Sequence, residues 1–174
     1  MRAVLGLVVL AAVAISSEAV TGAQRGAVAP TGTVKDPLAV VQQNGAKVSL
    51  PAQKAVFRAE RGALRAKSKL AVPAQSVTVI SDLLSIEAPF GTRDLPGGTL
   101  LIVKLEKDKD GLAFQGDATG NPEKGVVVVR TTDLKLVEKD GTSTWTLDAV
   151  RKLMPGPYAI VMADNLYMWP FEIR

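Results

Sequence analysis

The sequence predicts an all-β protein, an antiparallel β-sandwich with about ten strands and little helix. Short apolar runs recur along the chain, and several alternate apolar with polar residues, which is the period of a strand. Turn-forming residues separate these runs at intervals of roughly eight to twelve residues, the spacing of an antiparallel sandwich or barrel. No long stretch shows the apolar repeat of an amphipathic helix.

The amino terminus has the parts of a secretory signal peptide. Arg2 supplies a positive charge, residues 3–15 form an apolar run, and small residues allow cleavage after Ala19 or Ala23. The run is shorter than the roughly 20 residues that span a bilayer. We therefore expect residues 1–23 to be removed and the mature protein to be exported, periplasmic or secreted, with no membrane span left.

The rest of the chain is expected to contain a leader and one domain. Residues 24–37 include Gly, Pro and Thr without an apolar period, which predicts a flexible leader. Residues 38–174 are then a single β-sandwich domain, long enough to bury its own core.

Two turns predict tight hairpins. Asn44-Gly45 lies between the β-prone runs 38–42 and 46–50, and Asp140-Gly141 separates a similar pair. Asn-Gly and Asp-Gly supply the positive φ angles that a two-residue hairpin turn requires.

Two apolar runs in the middle of the chain predict further strands. "TLLIVKLEK" (99–107) is expected to be one continuous strand that ends at the turn 108–111. "GVVVVR" (125–130) is apolar almost throughout, which predicts a strand buried on both faces.

The segment 53–72 fits either a helix or a hairpin. As a helix, it would place Val56, Ala59, Ala63, Ala66 and Leu70 on a loose stripe. As two strands turning at Arg61-Gly62, it would bury both large residues, Phe57 and Leu64, on one face. We favour the hairpin because it also uses Gly62 in a turn.

The closing segment "LMPGPYAIVMADNLYMWPFEIR" (153–174) predicts a hairpin with an aromatic face. Its last strand has a row at period two, and its first strand has a matching one: Tyr167, Trp169, Phe171 and Ile173, against Tyr158, Ile160 and Met162. An exposed platform for stacking sugars is the alternative, but rows at sheet spacing favour a core. Pro170 indicates that the last strand lies at an edge or is bulged.

Three stretches together resemble a known type of protein: "LAVVQQNGAKVSLP", "GTLLIVKLEKDKDGLAF" and the closing segment. Their order resembles that of uncharacterised bacterial exported β-sandwich proteins that end in a Leu-x-Pro-Gly-x-Tyr-Ala strand. The closing motif is also similar to the last strands of bacterial immunoglobulin-like and transthyretin-like domains. The resemblance implies a β-sandwich and carries over no catalytic residue.

The composition excludes several chemistries. The chain has no histidine and no cysteine, which excludes Ser-His-Asp and Cys-His catalysis, thiolate nucleophiles and His- or Cys-ligated metals. A cysteine-free exported protein also favours a bacterial origin, since small secreted eukaryotic domains commonly rely on disulfides. We expect no cofactor.

Three chemistries stay open as alternatives. A small hydrolase could use paired carboxylates or a Ser/Lys pair, with Ser68, Ser76, Ser81 and Ser85 lying among or near lysines. Calcium could bind oxygen ligands such as Asp108 and Asp110. No spacing singles out any of these groups, so we predict no catalytic and no metal-binding residue.

The predicted anion-binding residues cluster in the segment 54–69. On the hairpin interpretation, one outward face carries the following residues: Lys54, Arg58, Arg65, Lys67 and Lys69. Such a patch could hold an anionic glycan, a lipid headgroup or an acidic partner, although charged runs are also ordinary solvated faces. No aromatic residue is interleaved with it, so nucleic-acid binding is not expected.

These features together predict a non-catalytic binding or structural accessory module of the bacterial envelope. Its partner would be an unknown protein or an anionic envelope polymer.

Overall fold

The computed structural model describes residues 34–60, 67–95, 99–109, 111–148 and 152–174. The predicted signal peptide lies outside the described residues, and so does the predicted leader as far as residue 33.

Three sheets contain the fifteen strands of the described residues. From one edge to the other, the five-stranded sheet consists of β12 (Lys135–Lys139), β13 (Thr142–Thr146), β7 (Ser85–Ala88), β1 (Leu38–Val41) and β2 (Lys47–Leu50). The four-stranded sheet consists, in the same way, of β4 (Val56–Glu60), β5 (Lys67–Val72), β10 (Gly111–Asp117) and β9 (Glu106–Asp108). The six-stranded sheet consists of β11 (Val127–Arg130), β8 (Leu100–Lys104), β14 (Gly156–Met162), β15 (Tyr167–Ile173) and β3 (Gln53–Lys54), with β6 (Thr78–Ile80) also beside β15.

The prediction of an all-β, sandwich-like fold is confirmed, and the number of strands exceeds the expected ten. Neighbouring strands pair antiparallel except β6 and β15, which run parallel. Two of the additional strands arise because an expected continuous run divides between two sheets, once at Ala55 and once at Leu105.

The six-stranded sheet lies between the other two sheets. One of its faces packs on the five-stranded sheet through a first core, whose largest buried members include Trp169, Phe171, Ile86 and Leu38. Its other face packs on the four-stranded sheet through a second core, which includes Leu70, Phe114, Val161 and Met168. The molecule is therefore a sandwich of three layers.

Strand β14 shows why the closing segment is so apolar. Tyr158 and Ile160 belong to the first core, whereas Ala159 and Val161 belong to the second. A strand covered on both faces needs apolar residues at every position rather than at alternate ones.

The prediction that residues 125–130 are buried on both faces is wrong. Strand β11 is the edge strand of the six-stranded sheet, and Val128 is 47% exposed while Val129 is buried. A bulge between Val127 and Val129 shifts the register with β8.

Both predicted tight hairpins are confirmed. β1 pairs antiparallel with β2, and β12 pairs antiparallel with β13. Asp140 and Gly141 have φ 50° and 77°, as a two-residue turn requires, whereas in the first hairpin only Gly45 of the Asn-Gly pair has a positive φ, 82°, within the longer connection 42–46.

The hairpin interpretation of the segment 53–72 is also confirmed. β4 pairs antiparallel with β5, and Phe57 stands opposite Leu70 on the face that packs into the second core. The connecting residues 61–66, which include the predicted turn at Arg61-Gly62, lie outside the described residues.

Two single residues carry the chain from the six-stranded to the four-stranded sheet. Ala55 separates β3 from β4, and Leu105 separates β8 from β9; both are buried in the second core. Their backbone N–H groups donate to the carbonyl oxygens of Leu166 and Pro157, at 2.8 and 3.0 Å. The predicted continuous strand 99–107 is therefore divided between two layers.

The aromatic face of the closing hairpin lies in the first core, as predicted, except for Tyr167, which is half-buried and does not belong to that core. Trp169 and Phe171 are fully buried, and each buried aromatic contributes roughly 1.5–3 kcal/mol through the apolar area removed from water. β15 is not an edge strand: its outer side pairs with β3 as far as Met168 and with β6 from Phe171. Pro170, which has no N–H to donate, stands where that outer partner changes.

Candidate binding surface

The outward face of the four-stranded sheet carries several of the predicted anion-binding residues. In the β4–β5 pair, Arg58 stands opposite Lys69 and Glu60 stands opposite Lys67. Opposite residues of an antiparallel pair point to the same face, so these side chains share one surface. Asp108 reaches the same surface from β9, with its Oδ1 atom 3.5 Å from Lys69 Nζ. We call the surface formed by these five residues the ionic face.

The alternation of each strand determines which residues point outward. Phe57 and Leu70 lie next to Arg58 and Lys69 along the chain, and they pack into the second core. Because successive residues of a strand point to opposite faces, the charged neighbours are left on the solvent side.

Carboxylates balance the two lysines of the ionic face. Lys69 Nζ lies 3.6 Å from Glu60 Oε1 as well as near Asp108, and Lys67 Nζ lies 3.1 Å from Glu123 Oε1. These residues are between one fifth and one half exposed, where ion pairs typically contribute 0–1 kcal/mol. The ionic face is therefore mixed in charge, and its ion pairs are of the weak, solvent-screened kind.

Asp108 competes with any ligand that approaches Lys69. Burial raises the pKa of the Asp108 carboxyl, but a hydrogen bond from the Lys109 backbone and the nearby Lys69 ammonium outweigh this effect. The pKa therefore lies below its usual value of 3.8, and the group is ionised at neutral pH.

The other two predicted residues are not placed on the ionic face. Lys54 belongs to β3, where it stands opposite Tyr167 in the six-stranded sheet, on the other side of the corner at Ala55. Arg65 lies outside the described residues.

A small cleft borders the ionic face where β9 leaves β8. Its volume is about 60 Å³, and its lining includes Lys69, Lys104, Lys107, Asp108 and Gln115. Pockets that enclose a drug-sized ligand measure roughly 300–1,000 Å³, so this cleft has room for one functional group of a ligand.

Gln115 contributes an unusual acceptor to this cleft. Its Oε1 atom is buried and accepts no hydrogen bond from the described part of the chain. Buried polar atoms are nearly always paired, so this oxygen is an exception among the buried acceptors of the described residues.

Two of the four serines considered for a Ser/Lys pair, Ser68 and Ser76, donate their hydroxyl groups to backbone carbonyl oxygens. Ser68 points away from its neighbours Lys67 and Lys69, and its Oγ donates to the Asp117 carbonyl oxygen at 2.6 Å. Ser76 donates to the Pro73 carbonyl at 2.6 Å. The geometry around these hydroxyls is that of turns and strand contacts.

The acidic turn after β10 is held by its own hydrogen bonds. Asp117 Oδ1 accepts from the backbone N–H and the hydroxyl of Thr119, each at 2.8 Å, and from Asn121 N–H at 3.1 Å. Asp110, the second acid of the calcium-like turn, lies outside the described residues. Among the residues that are described, no three His, Cys, Asp or Glu side chains form a group that could hold a metal ion.

Sequence reasoning missed the acidic partners of the ionic face. Glu123 is 56 residues from Lys67, and Asp108 is 39 residues from Lys69. The pairing of β5 with β10 brings them together, and no local pattern in the sequence signals it.

Comparisons with known proteins identify no relative: no family model, curated protein or solved structure matches the chain. Within the described ranges, no helix has both the length and the hydropathy needed to cross a lipid bilayer.

Proposed function

We propose that the protein is an exported, non-catalytic binding or structural accessory module of the bacterial envelope, and that the ionic face is its binding surface. The observation that carries the proposal is the shape of this surface. The solvent face of the four-stranded sheet bears partly exposed ion pairs and is bordered by a cleft of about 60 Å³. A ligand would lie across the sheet, with a single group inserted in the cleft.

The three-layer architecture supports this role. The six-stranded sheet is buried on both faces, so it holds the four-stranded sheet in a fixed position from behind. A rigid sheet presents its side chains with little ordering cost on binding. Export itself rests on the signal peptide predicted from residues 1–23.

The chemistry of the ionic face favours a ligand with anionic groups, either an acidic glycan or a lipid headgroup. Lys67 and Lys69 can transfer from their present ion pairs to a carboxylate or phosphate, because exposed ion pairs are weak, and Arg58 lies opposite Lys69 on the same face. Such binding would be sensitive to salt, since screening reduces interactions between exposed charges.

The test is thermal unfolding of the mature protein with an acidic polysaccharide, with anionic lipid vesicles and with neutral counterparts of each. A ligand that binds only the native state stabilises it by about 2.7 kcal/mol at a hundredfold excess over its dissociation constant. We expect one anionic ligand to raise the melting temperature and added salt to remove the shift. Whichever of the two, the acidic polysaccharide or the anionic vesicles, raises the melting temperature identifies the source of the anionic group.

A pair of charge-reversed variants locates the site. Arg58→Glu with Lys67→Glu should abolish the shift, whereas Lys35→Glu with Lys152→Glu, which changes net charge equally at exposed positions elsewhere, should preserve it. Loss of the shift in both variants would mean that only net charge matters. No shift with any anionic ligand would reject the ionic face as an anion-binding surface.

A further inference from the structure

Strand β12 is an edge strand that is solvent-exposed on both faces. It pairs with β13 on one side, and no strand follows it on the other side of the five-stranded sheet within the described part of the chain. All five of its residues are exposed, including Leu136 at 41% and Val137 at 50%. The outer side of β12 therefore offers unpaired backbone groups to a further strand.

The two faces of β12 differ in the contacts that they make. Glu138 stands opposite Ser143, and its Oε1 accepts from the Thr92 backbone N–H and hydroxyl, both at 2.8 Å. The Glu138 carboxylate is therefore already hydrogen-bonded within the molecule.

The other face of β12 repeats a simple pattern. Lys135, Val137 and Lys139 alternate along it, opposite Thr146, Thr144 and Thr142 of β13. Neither lysine ammonium has a carboxylate partner among the residues that the structure describes. An apolar side chain between two such cations would be complemented by an apolar residue between two acids on an adjacent strand.

We infer that β12 docks an extended acidic segment of a partner protein, which joins the five-stranded sheet as an added strand. Backbone hydrogen bonds along the edge supply affinity, and the side chains of the lysines and Val137 select an acidic–apolar–acidic alternation. This surface belongs to a different sheet from the ionic face, so the inference stands independently of the proposed function.

A second copy of the chain is a poorer occupant of this edge. In a symmetric antiparallel pair centred on Val137, Lys135 of each copy stands opposite Lys139 of the other. Like charges directly opposite each other destabilise a strand pair. Self-association through this register is therefore disfavoured.

The test measures binding of two synthetic peptides to the purified mature protein by fluorescence anisotropy. One peptide contains the extended sequence Glu-Thr-Val-Thr-Glu, and its matched control contains Lys-Thr-Val-Thr-Lys. We expect the acidic peptide to bind and the basic peptide to bind about tenfold more weakly. Hydrogen exchange should show protection of the β12 amides by the acidic peptide.

Reversing the charges of the two β12 lysines provides a complementary test. Lys135→Glu with Lys139→Glu should reverse the preference between the peptides, whereas Lys35→Glu with Lys152→Glu should leave it unchanged. Retained preference in the swapped variant, protection that excludes β12, or no binding up to the solubility limit of the acidic peptide would overturn the inference. In that case the lysines serve only to shield the edge from aggregation. Dimerisation through β12, detected by sedimentation, would also overturn it in favour of a second copy.

Discussion

Trp169 donates a hydrogen bond from its indole Nε1–H to the carbonyl oxygen of Asp36, at 2.8 Å. Nearby, the Asn165 side-chain amide donates to the Val34 carbonyl at 2.9 Å. Residues 34–37 precede the first strand and belong to the predicted leader, yet they are fastened to the closing hairpin. The tightly held part of the chain therefore includes Val34 and Asp36, four and two residues before the first strand.

Removal of this anchor should destabilise the domain. A chain that begins at Leu38 loses both acceptors, which leaves the Trp169 N–H without its protein partner. We expect the free energy of unfolding to fall by about 1–3 kcal/mol relative to a chain that begins at Val34. Urea denaturation of the two chains measures the difference, and equal midpoints would show that the anchor contributes nothing.

Tyr158 should make stability depend on alkaline pH. Its hydroxyl donates to the Met154 carbonyl oxygen at 2.8 Å, an arrangement of the tyrosine-corner type found in Greek-key sandwiches. Burial raises the pKa of the phenol above its usual value of 10.0. The stabilisation is thus complete below pH 10 and is lost as the pH rises through the folded-state pKa.

The variant Tyr158→Phe should lower stability at neutral pH by about 1 kcal/mol and remove this alkaline dependence. Tyr167→Phe is the control, since the Tyr167 hydroxyl has no hydrogen bond with the described residues. Chemical denaturation from neutral pH to above pH 10 compares the two. If the free energy of unfolding of Tyr158→Phe falls with alkaline pH as steeply as that of the wild-type protein, the dependence comes from other groups.

Gly111 should tolerate no side chain. It has φ 135°, and a Cβ atom there would lie 2.1 Å from the Val72 carbonyl oxygen, which belongs to the backbone and cannot rotate away. We expect Gly111→Ala to cost at least about 2 kcal/mol or to prevent folding. Gly125→Ala, with no atom within 4 Å of the added Cβ, should be nearly neutral. Comparable melting temperatures for the two variants would contradict this packing.

Glu138 should contribute to stability against acid. Hydrogen bonds from the Thr92 backbone N–H and hydroxyl, and then from Ser143, lower its pKa below the usual value of 4.5. Its stabilisation is therefore present above pH 4.5 and is lost as the pH falls through the lowered value. Glu138→Gln should have a lower free energy of unfolding than the wild-type protein at neutral pH. Its free energy of unfolding should also fall less steeply as the pH is lowered. The measurement is denaturation at a series of pH values, with Glu106→Gln as an exposed control.

Turn chemistry made parts of the fold predictable from the sequence. The Asn44-Gly45 and Asp140-Gly141 hairpins depend on φ angles within a few residues, so a local pattern determines them. The layering depends on distant partners and was not predictable. Nothing in the run 99–107 distinguishes Leu105, where the chain changes sheets, from a residue inside a straight strand.

The candidate site was only partly predictable from the sequence, because some of its residues are brought together by strands that are distant in the chain. Arg58, Lys67 and Lys69 were expected on one face and lie there, because the period of a strand relates them. Lys54 was expected beside them, but the corner at Ala55 places it in another sheet. Glu123 and Asp108 lie close to Lys67 and Lys69 only because strands distant in the sequence pair with each other.

The position of β14 and β15 in the chain has a consequence for synthesis of the protein. All the other described strands precede this hairpin, yet both outer sheets pack on the layer that it completes. While the ribosome still holds residues 156–173, the earlier strands have no finished surface to cover. Until this hairpin has been synthesised, two sets of apolar side chains, one for each core, stay accessible to chaperones.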